Sequence, residues 1–156
     1  MATVSEGVQA PDFNLPSTSD DDVSLVARRG RTSLVLLFLD DATGGTDTQI
    51  AASFRDASEI FRAQRATVIA IAKNDLNNLK EFQSANTLPF ELLGDDGSVA
   101  ATYGVRVRQG FGPFSRERFR RSTFLLDGMG VVRRIFRDVD PEEHVNEVLA
   151  ALDMGL

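Results

Sequence analysis

The stretch FLDDATGGTDTQIAASFRD, from Phe38 to Asp56, gathers Asp40, Asp41, Thr43, Thr46, Asp47 and Thr48 between an apolar run and an amphipathic segment. Carboxylates and hydroxyls in that setting can act as general bases, hold a hard cation or engage the unpaired N–H groups of a helix start. The stretch carries no His, Lys or Gly-x-Ser-x-Gly elbow, and the whole chain has no cysteine. Thiolate catalysis, disulfides and thiolate metal sites are thereby excluded.

Asp40, Asp41 and Asp47 share one loop but follow no recognised ligand pattern, and the run Asp20-Asp21-Asp22 lacks the calcium-loop spacing and its terminal glutamate. The run is expected to be a solvated hairpin turn, and neither a metal nor a cofactor is expected. The single histidine, His144, falls in the closing amphipathic segment with no partner histidine or thiol, and is expected to be a partly exposed helix residue. A second distinctive stretch, VRVRQGFGPFSRERFRRSTF (Val105 to Phe124), sets Arg106, Arg108, Arg116, Arg118, Arg120 and Arg121 among Phe111, Phe114 and Phe119. Arginine beside aromatic rings binds anions, nucleotides or protein surfaces. The plainer expectation is a mobile loop followed by a strand whose alternate arginines face water.

The elements that must position these groups follow from apolar periodicity. APDFNLPSTSDDDVSL reads as a β-hairpin with Phe13 and Leu15 on one arm and Val23 and Leu25 on the other. TSLVLLFL (Thr32 to Leu39) and ATVIAIA (Ala66 to Ala72) are continuous apolar runs, as expected of strands covered on both faces. Between them Ile50, Phe54, Ala57 and Phe61 fall at helical spacing, predicting one helix from about Thr46 to Gln64, with Thr46 and Gln49 at the offset of a capping box. Asp75 can cap a helix striped by Leu76, Leu79 and Phe82. LPFELLGDDGSVAATYGV gives a short strand, a turn at Asp95-Asp96-Gly97 and a short helix. STFLLD and VVRRIFRD flank the hairpin loop Gly128-Met129-Gly130. Pro141 can open a last helix whose Val145, Val148, Leu149 and Leu152 face inward. The order predicts an α/β protein of the thioredoxin-like fold, a central mixed sheet flanked by helices with an N-terminal β-hairpin.

The 156 residues, 42% of them hydrophobic, suit a single domain over 1–156 with a real core. A net charge of -6 argues against a general nucleic-acid binder or a coat for anionic membranes. The opening MATVSEGVQAPDF lacks the basic and apolar regions of a signal peptide, and LVLLFL is too short to span a bilayer. A soluble, cytoplasmic protein is expected, with no nucleic-acid or membrane partner.

In order and spacing, APDFNLPS, VLLFLDDATGGTDTQIAASFRD, LPFELLGDDGSVAATYGV, RRSTFLLDGMGVV and EEHVNEVLAAL resemble landmarks of the peroxiredoxins, especially the bacterioferritin-comigratory type. The resemblance runs nearly end to end. It implies that Asp47 stands where the peroxide-attacking cysteine would be, and Ala52 where many relatives carry a resolving cysteine. Asp40 takes the place of the loop proline and Gly44 that of the loop threonine, a role that a one-residue slip would give to Thr43. Arg121, just before Ser-Thr-Phe, matches the family's activating arginine. The resemblance therefore implies an antioxidant oxidoreductase lineage whose arginine survives and whose nucleophile does not.

A carboxylate has no counterpart to the reversible thiolate–sulfenic acid cycle. The chain is therefore expected to lack thiol peroxidase activity. Asp47 is expected either simply to favour its helix start or to pair with Arg121 in a pocket formed with Asp40, Thr43, Gly44 and Thr46, which would suit a small anion or a protein partner. The other readings are an enzyme of unknown type using Asp47 and Arg121, and a scaffold with a closed pocket. The chain is expected to be a monomer or a homodimer.

Overall fold

Leu34 to Phe38 are at most 1% exposed, so the run they form needs cover on both faces. A computed structural model provides that cover, and it describes residues 4–73 and 75–155. The first three residues of the opening stretch lie outside them. In chain order the strands are β1 (Asn14–Pro16), β2 (Asp22–Ser24), β3 (Ser33–Phe38), β4 (Ala66–Ala72), β5 (Leu92–Gly94), β6 (Arg106–Gln109), β7 (Arg116–Phe119), β8 (Ser122–Leu126) and β9 (Val132–Phe136). The helices are α1 (Gly45–Asp56), α2 (Ser58–Ala63), α3 (Leu76–Ala85), α4 (Ser98–Thr102) and α5 (His144–Asp153).

The central sheet has the order β5-β4-β3-β8-β9. β3 runs parallel to β4 and antiparallel to β8. One face packs Val35, Leu37, Ala70 and Leu125 against Ile50 and Phe54 of α1, Phe61 of α2, Leu79 and Phe82 of α3, and Val148 and Leu152 of α5. The other packs Leu34, Leu36, Phe38, Ile69 and Phe124 against Phe13, Leu15 and Val23 of the β1–β2 hairpin, Tyr103 after α4, and Phe119 of β7. This is the mixed α/β sheet with an N-terminal hairpin that the apolar pattern predicts.

Asp75 caps α3 by accepting from the Asn78 N–H at 2.9 Å, and the buried carboxylate of Asp95 caps α4 by accepting from Val99 and Ala100 N–H groups at 3.2 and 2.8 Å. Four expectations need correction. The helix after β3 breaks at Ala57, where ψ is 8°, into α1 and α2. The Phe61 N–H still bonds to the Ala57 carbonyl at 3.0 Å, so the apolar stripe continues across a break that periodicity cannot register. The capping box at Thr46 and Gln49 is not used, because α1 begins earlier, with Gly44 as its N-cap and no side-chain cap bond. Regular α5 begins at His144 rather than Pro141, although the His144 N–H already bonds to the Asp140 carbonyl at 2.9 Å. The arginine-rich stretch is largely an antiparallel hairpin, β6–β7, rather than a loop.

His144 is also not a partly exposed residue. It is 0% exposed, between the rings of Phe54 and Phe136, with Nε2 2.6 Å from Thr123 Oγ1. Its Nδ1 is buried without a hydrogen-bond partner among the described residues, and burial pushes its pKa down from 6.5 to about 4. The unfolded chain therefore binds a proton at this residue that the folded chain refuses between those values. Stability is unaffected above pH 6.5 and falls as the pH drops towards 4, by about 3 kcal/mol from this one group. Denaturant titrations from pH 7 to 4 should show His144→Gln with a flatter pH dependence than the parent chain, even if it starts from a lower stability at pH 7.

Candidate functional site

Register decides which residues meet. Phe38 at the end of β3 pairs with Ser122 at the start of β8, so Arg121 lies beside the loop that leaves β3. The same loop leads into α1, whose first turn carries Asp47. Arg121 Nε donates to Asp47 Oδ1 at 2.6 Å. The Asp47 side chain is 0% exposed and that of Arg121 21%.

Asp47 Oδ2 also accepts from the backbone N–H of Ala42 at 2.9 Å and of Asp40 at 3.1 Å. Ala42 reaches it by adopting a left-handed φ of 59°, an uncommon conformation for a residue with a Cβ. These contacts distinguish Asp47 from a plain helix cap. Asp95, three residues before α4, bonds to N–H groups of that helix's first turn, whereas the bonds made by Asp47 run back to its loop and across to Arg121. The helix N-terminus adds a favourable field for the same charge.

Asp40 is buried as well. Its carboxylate accepts from the Phe119 N–H at 3.1 Å and from Arg118 Nε at 3.2 Å, with Arg116 Nη2 at 3.6 Å. The loop is thus tied to β7 through Asp40 and to the start of β8 through Asp47. Thr43 does not join them, since its hydroxyl is exposed and donates to Asp41 at 2.7 Å. Gly44 caps α1, and Ala52 lies half-buried along that helix. Among the described residues, no group of three or more acidic or histidine side chains could hold a metal ion.

Outside the sealed carboxylate lies a cavity of about 390 Å³ lined by Thr46, Arg108, Gln109, Arg118, Arg120, Arg121, Asp138 and neighbouring apolar groups. Asp47 is absent from the lining while Arg121 is present, so the cavity meets the arginine and not the acid. Arg120 Nε bonds to Asp138 at 3.0 Å, and that bond holds the Asp138 carboxyl below the usual carboxylate range. At the far end of the β6–β7 arm, Phe111 and Phe114 are 90% and 86% exposed.

Sequence reasoning picked out Asp47 and Arg121 but missed the roles of Arg118, Asp138 and the N–H groups of Ala42 and Phe119. The alternation Arg116, Arg118, Arg120 was the available signal. It fits a hairpin with one polar face as well as it fits a loop.

Residues 7–135 match the AhpC/TSA family. The chain belongs to that family. A putative chloroplastic peroxiredoxin Q of Oryza sativa subsp. indica is 38% identical over 151 residues, covering 96% of this chain and 67% of the rice protein. A putative peroxiredoxin bcp of Coxiella burnetii is 30% identical over 151 residues, covering 96% of this chain and 99% of its own. Among solved structures, the peroxidoxin BcpB of Mycobacterium tuberculosis superimposes with a TM-score of 0.87 at 25% identity, covering 98% of this chain and 99% of that one. The bacterioferritin comigratory protein of Xanthomonas campestris gives 0.87 at 22% identity, over 96% and 98% of the two chains. Kinship with the Q and bacterioferritin-comigratory peroxiredoxins and a thioredoxin-like fold are therefore established for a chain without cysteine.

Removing one partner of a buried ion pair strands the other. Asp47→Ala should cost about 3 kcal/mol by urea denaturation, because it leaves Arg121 and the loop N–H groups unpaired. A loss under ~0.5 kcal/mol, the range of ordinary surface substitutions, would show that the pair is not structural.

Proposed function

We propose that this AhpC/TSA-family protein is not a thiol peroxidase and that it binds a small oxyanion at the former active site, on the outer edge of Arg121. The observation that carries this reading is the division of that arginine. Nε holds the buried carboxylate, and the guanidinium also lines an arginine-rich cavity. No hydrogen bond from its terminal nitrogens is found among the described residues.

The chemistry of the substitution supports the first half. The Xanthomonas relative is associated with alkyl peroxide reduction, a reaction whose family mechanism needs a thiolate that becomes a sulfenic acid. An aspartate side chain has the charge and connectivity of a cysteine oxidised to the sulfinic stage, an acidic group on one methylene. Position 47 is thus held in a form that resembles an oxidised site and has no reductive return. The donors that would meet a peroxide oxygen are already bonded to Asp47. Proton abstraction by Asp47 is disfavoured by the same geometry, since the carboxylate does not line the cavity.

The cavity supports the second half. Of its charged lining groups, four are arginines and one is Asp138. Guanidinium groups in such number favour carboxylate, phosphate or sulfate.

With hydrogen peroxide or an alkyl hydroperoxide and thioredoxin or glutathione as reductant, peroxide should disappear no faster than over a heat-denatured control. Turnover above that control defeats the proposal. Asp47→Cys should react once with peroxide and yield a sulfenic acid that a dimedone probe traps, because the shorter side chain leaves the N–H groups and Arg121 free to hold the peroxide. Inorganic phosphate at ten times its Kd should add about 1.4 kcal/mol of stability. Potassium chloride at matched ionic strength should not, and Arg120→Gln should weaken the effect. Equal responses to the two salts would point to a closed scaffold.

A further inference from the structure

A second cavity, of about 430 Å³, opens at the other end of the parallel strands. It sits by Thr32 just before β3 and by Ala66 to Val68 at the start of β4, whereas the Asp47 loop leaves the far end of β3. β3 has six residues, and a strand of that length spans about 20 Å. The two cavities are therefore separate.

Beneath it lies the buried ring pair Phe54 and Phe61, stacked with centroids 5.4 Å apart and planes at 7°. Val68, Pro89 and Phe90 add apolar wall. A hydrocarbon body fits against this wall, and the volume lies in the range of small-molecule sites.

The rim has a surplus of hydrogen-bond donors. Thr32 and Thr67 share one hydrogen bond, Oγ1 to Oγ1 at 2.8 Å, which uses one of their two hydroxyl protons. The Ser58 hydroxyl and the Arg65 guanidinium line the cavity and have no partner among the described residues. The other charges are already engaged. Glu91 pairs with Arg28 at 2.7 Å and accepts from Ser17 at 2.7 Å, and Arg62 pairs with Glu59 at 2.9 Å. A cation and spare hydroxyl donors without a partner among the described residues, beside an apolar wall, select a ligand with an apolar body and an anionic, acceptor-only head.

We infer that this cavity is a binding site for an aromatic or alicyclic carboxylate, held by Arg65 and the rim hydroxyls against the apolar wall of Val68, Pro89 and Phe90. The site is independent of Arg121 and of the anion reading given above.

The test uses the full chain and two probes of one shape, 1-naphthoate and the neutral 1-naphthamide, followed by amide NMR shifts. Naphthoate should bind saturably at one site, with shifts centred on Ser58, Arg65 to Val68 and Phe90. Arg65→Gln, at an exposed position, should weaken naphthoate at least fivefold and leave naphthamide unchanged. Ser58→Trp should fill the cavity and abolish both, while Arg121→Ala should alter neither. Absence of saturable binding, shifts centred on Arg120 and Arg121, or equal affinity for the two probes would each overturn the inference.

Discussion

The buried bond between Asp47 and Arg121 is the constraint around which the rest of the site is arranged. A carboxylate withdrawn from water costs several kcal/mol unless a cation and hydrogen-bond donors replace the lost hydration. Asp47 has both replacements, from Arg121 and from two backbone N–H groups. Each imposes a condition elsewhere. Arg121 is in reach only because Phe38 pairs with Ser122, and a slip of one residue in β8 would turn every side chain of that strand to the opposite face. The Ala42 N–H is in reach only because Ala42 takes a left-handed φ, and α1 must start at Gly45 for its first turn to bring Asp47 back over the loop.

A second acid–arginine contact makes the arrangement cooperative. Asp40 holds Arg118 and the Phe119 N–H, so the β6–β7 arm is fastened to the same loop that Asp47 fastens to β8. Arg118 and Arg121 both line the outer cavity, and each spends part of its guanidinium on a buried acid. The inner carboxylates therefore fix the positions of the outer donors. Such preorganisation lowers the ordering cost of binding an anion, because the guanidinium planes are already set. It also leaves the loop donors satisfied by the protein itself rather than open to a substrate.

Much of this was legible from the sequence, for reasons that differ by element. β3 and β4 read correctly because strands covered on both faces leave continuous apolar runs, and Asp75 read correctly because capping is a local interaction. Asp47 and Arg121 were marked by resemblance rather than by periodicity. Asp40 and Arg118 were not paired in advance, because 78 residues separate them and nothing local announces the contact. The β6–β7 hairpin was obscured by Gly110, Gly112 and Pro113, which punctuate the stretch as a loop would. They in fact serve the tip, where Gly110 has a φ of 98° and a Cβ would meet the Phe114 carbonyl at 2.7 Å. His144 was misread because a histidine's polarity suggests the surface. Only the rings of Phe54 and Phe136, brought from α1 and β9, reveal the apolar space that receives it.

Position 47 favours aspartate over its near neighbours in size and charge. The site presents a guanidinium and backbone donors converging on a fully buried point. A serine or alanine there would leave Arg121 without a counter-charge, an asparagine would set its own N–H group among donors, and a glutamate would need room for another methylene in a close-packed setting. Aspartate matches charge, acceptor count and length together. A pocket without such a match would retain an unbalanced arginine or let its loop rearrange. This one has a matched anion, a strained Ala42 held in place and a second acid tying the neighbouring arm. Those features describe a site organised around one buried carboxylate, with the outer edge of its arginine facing the cavity.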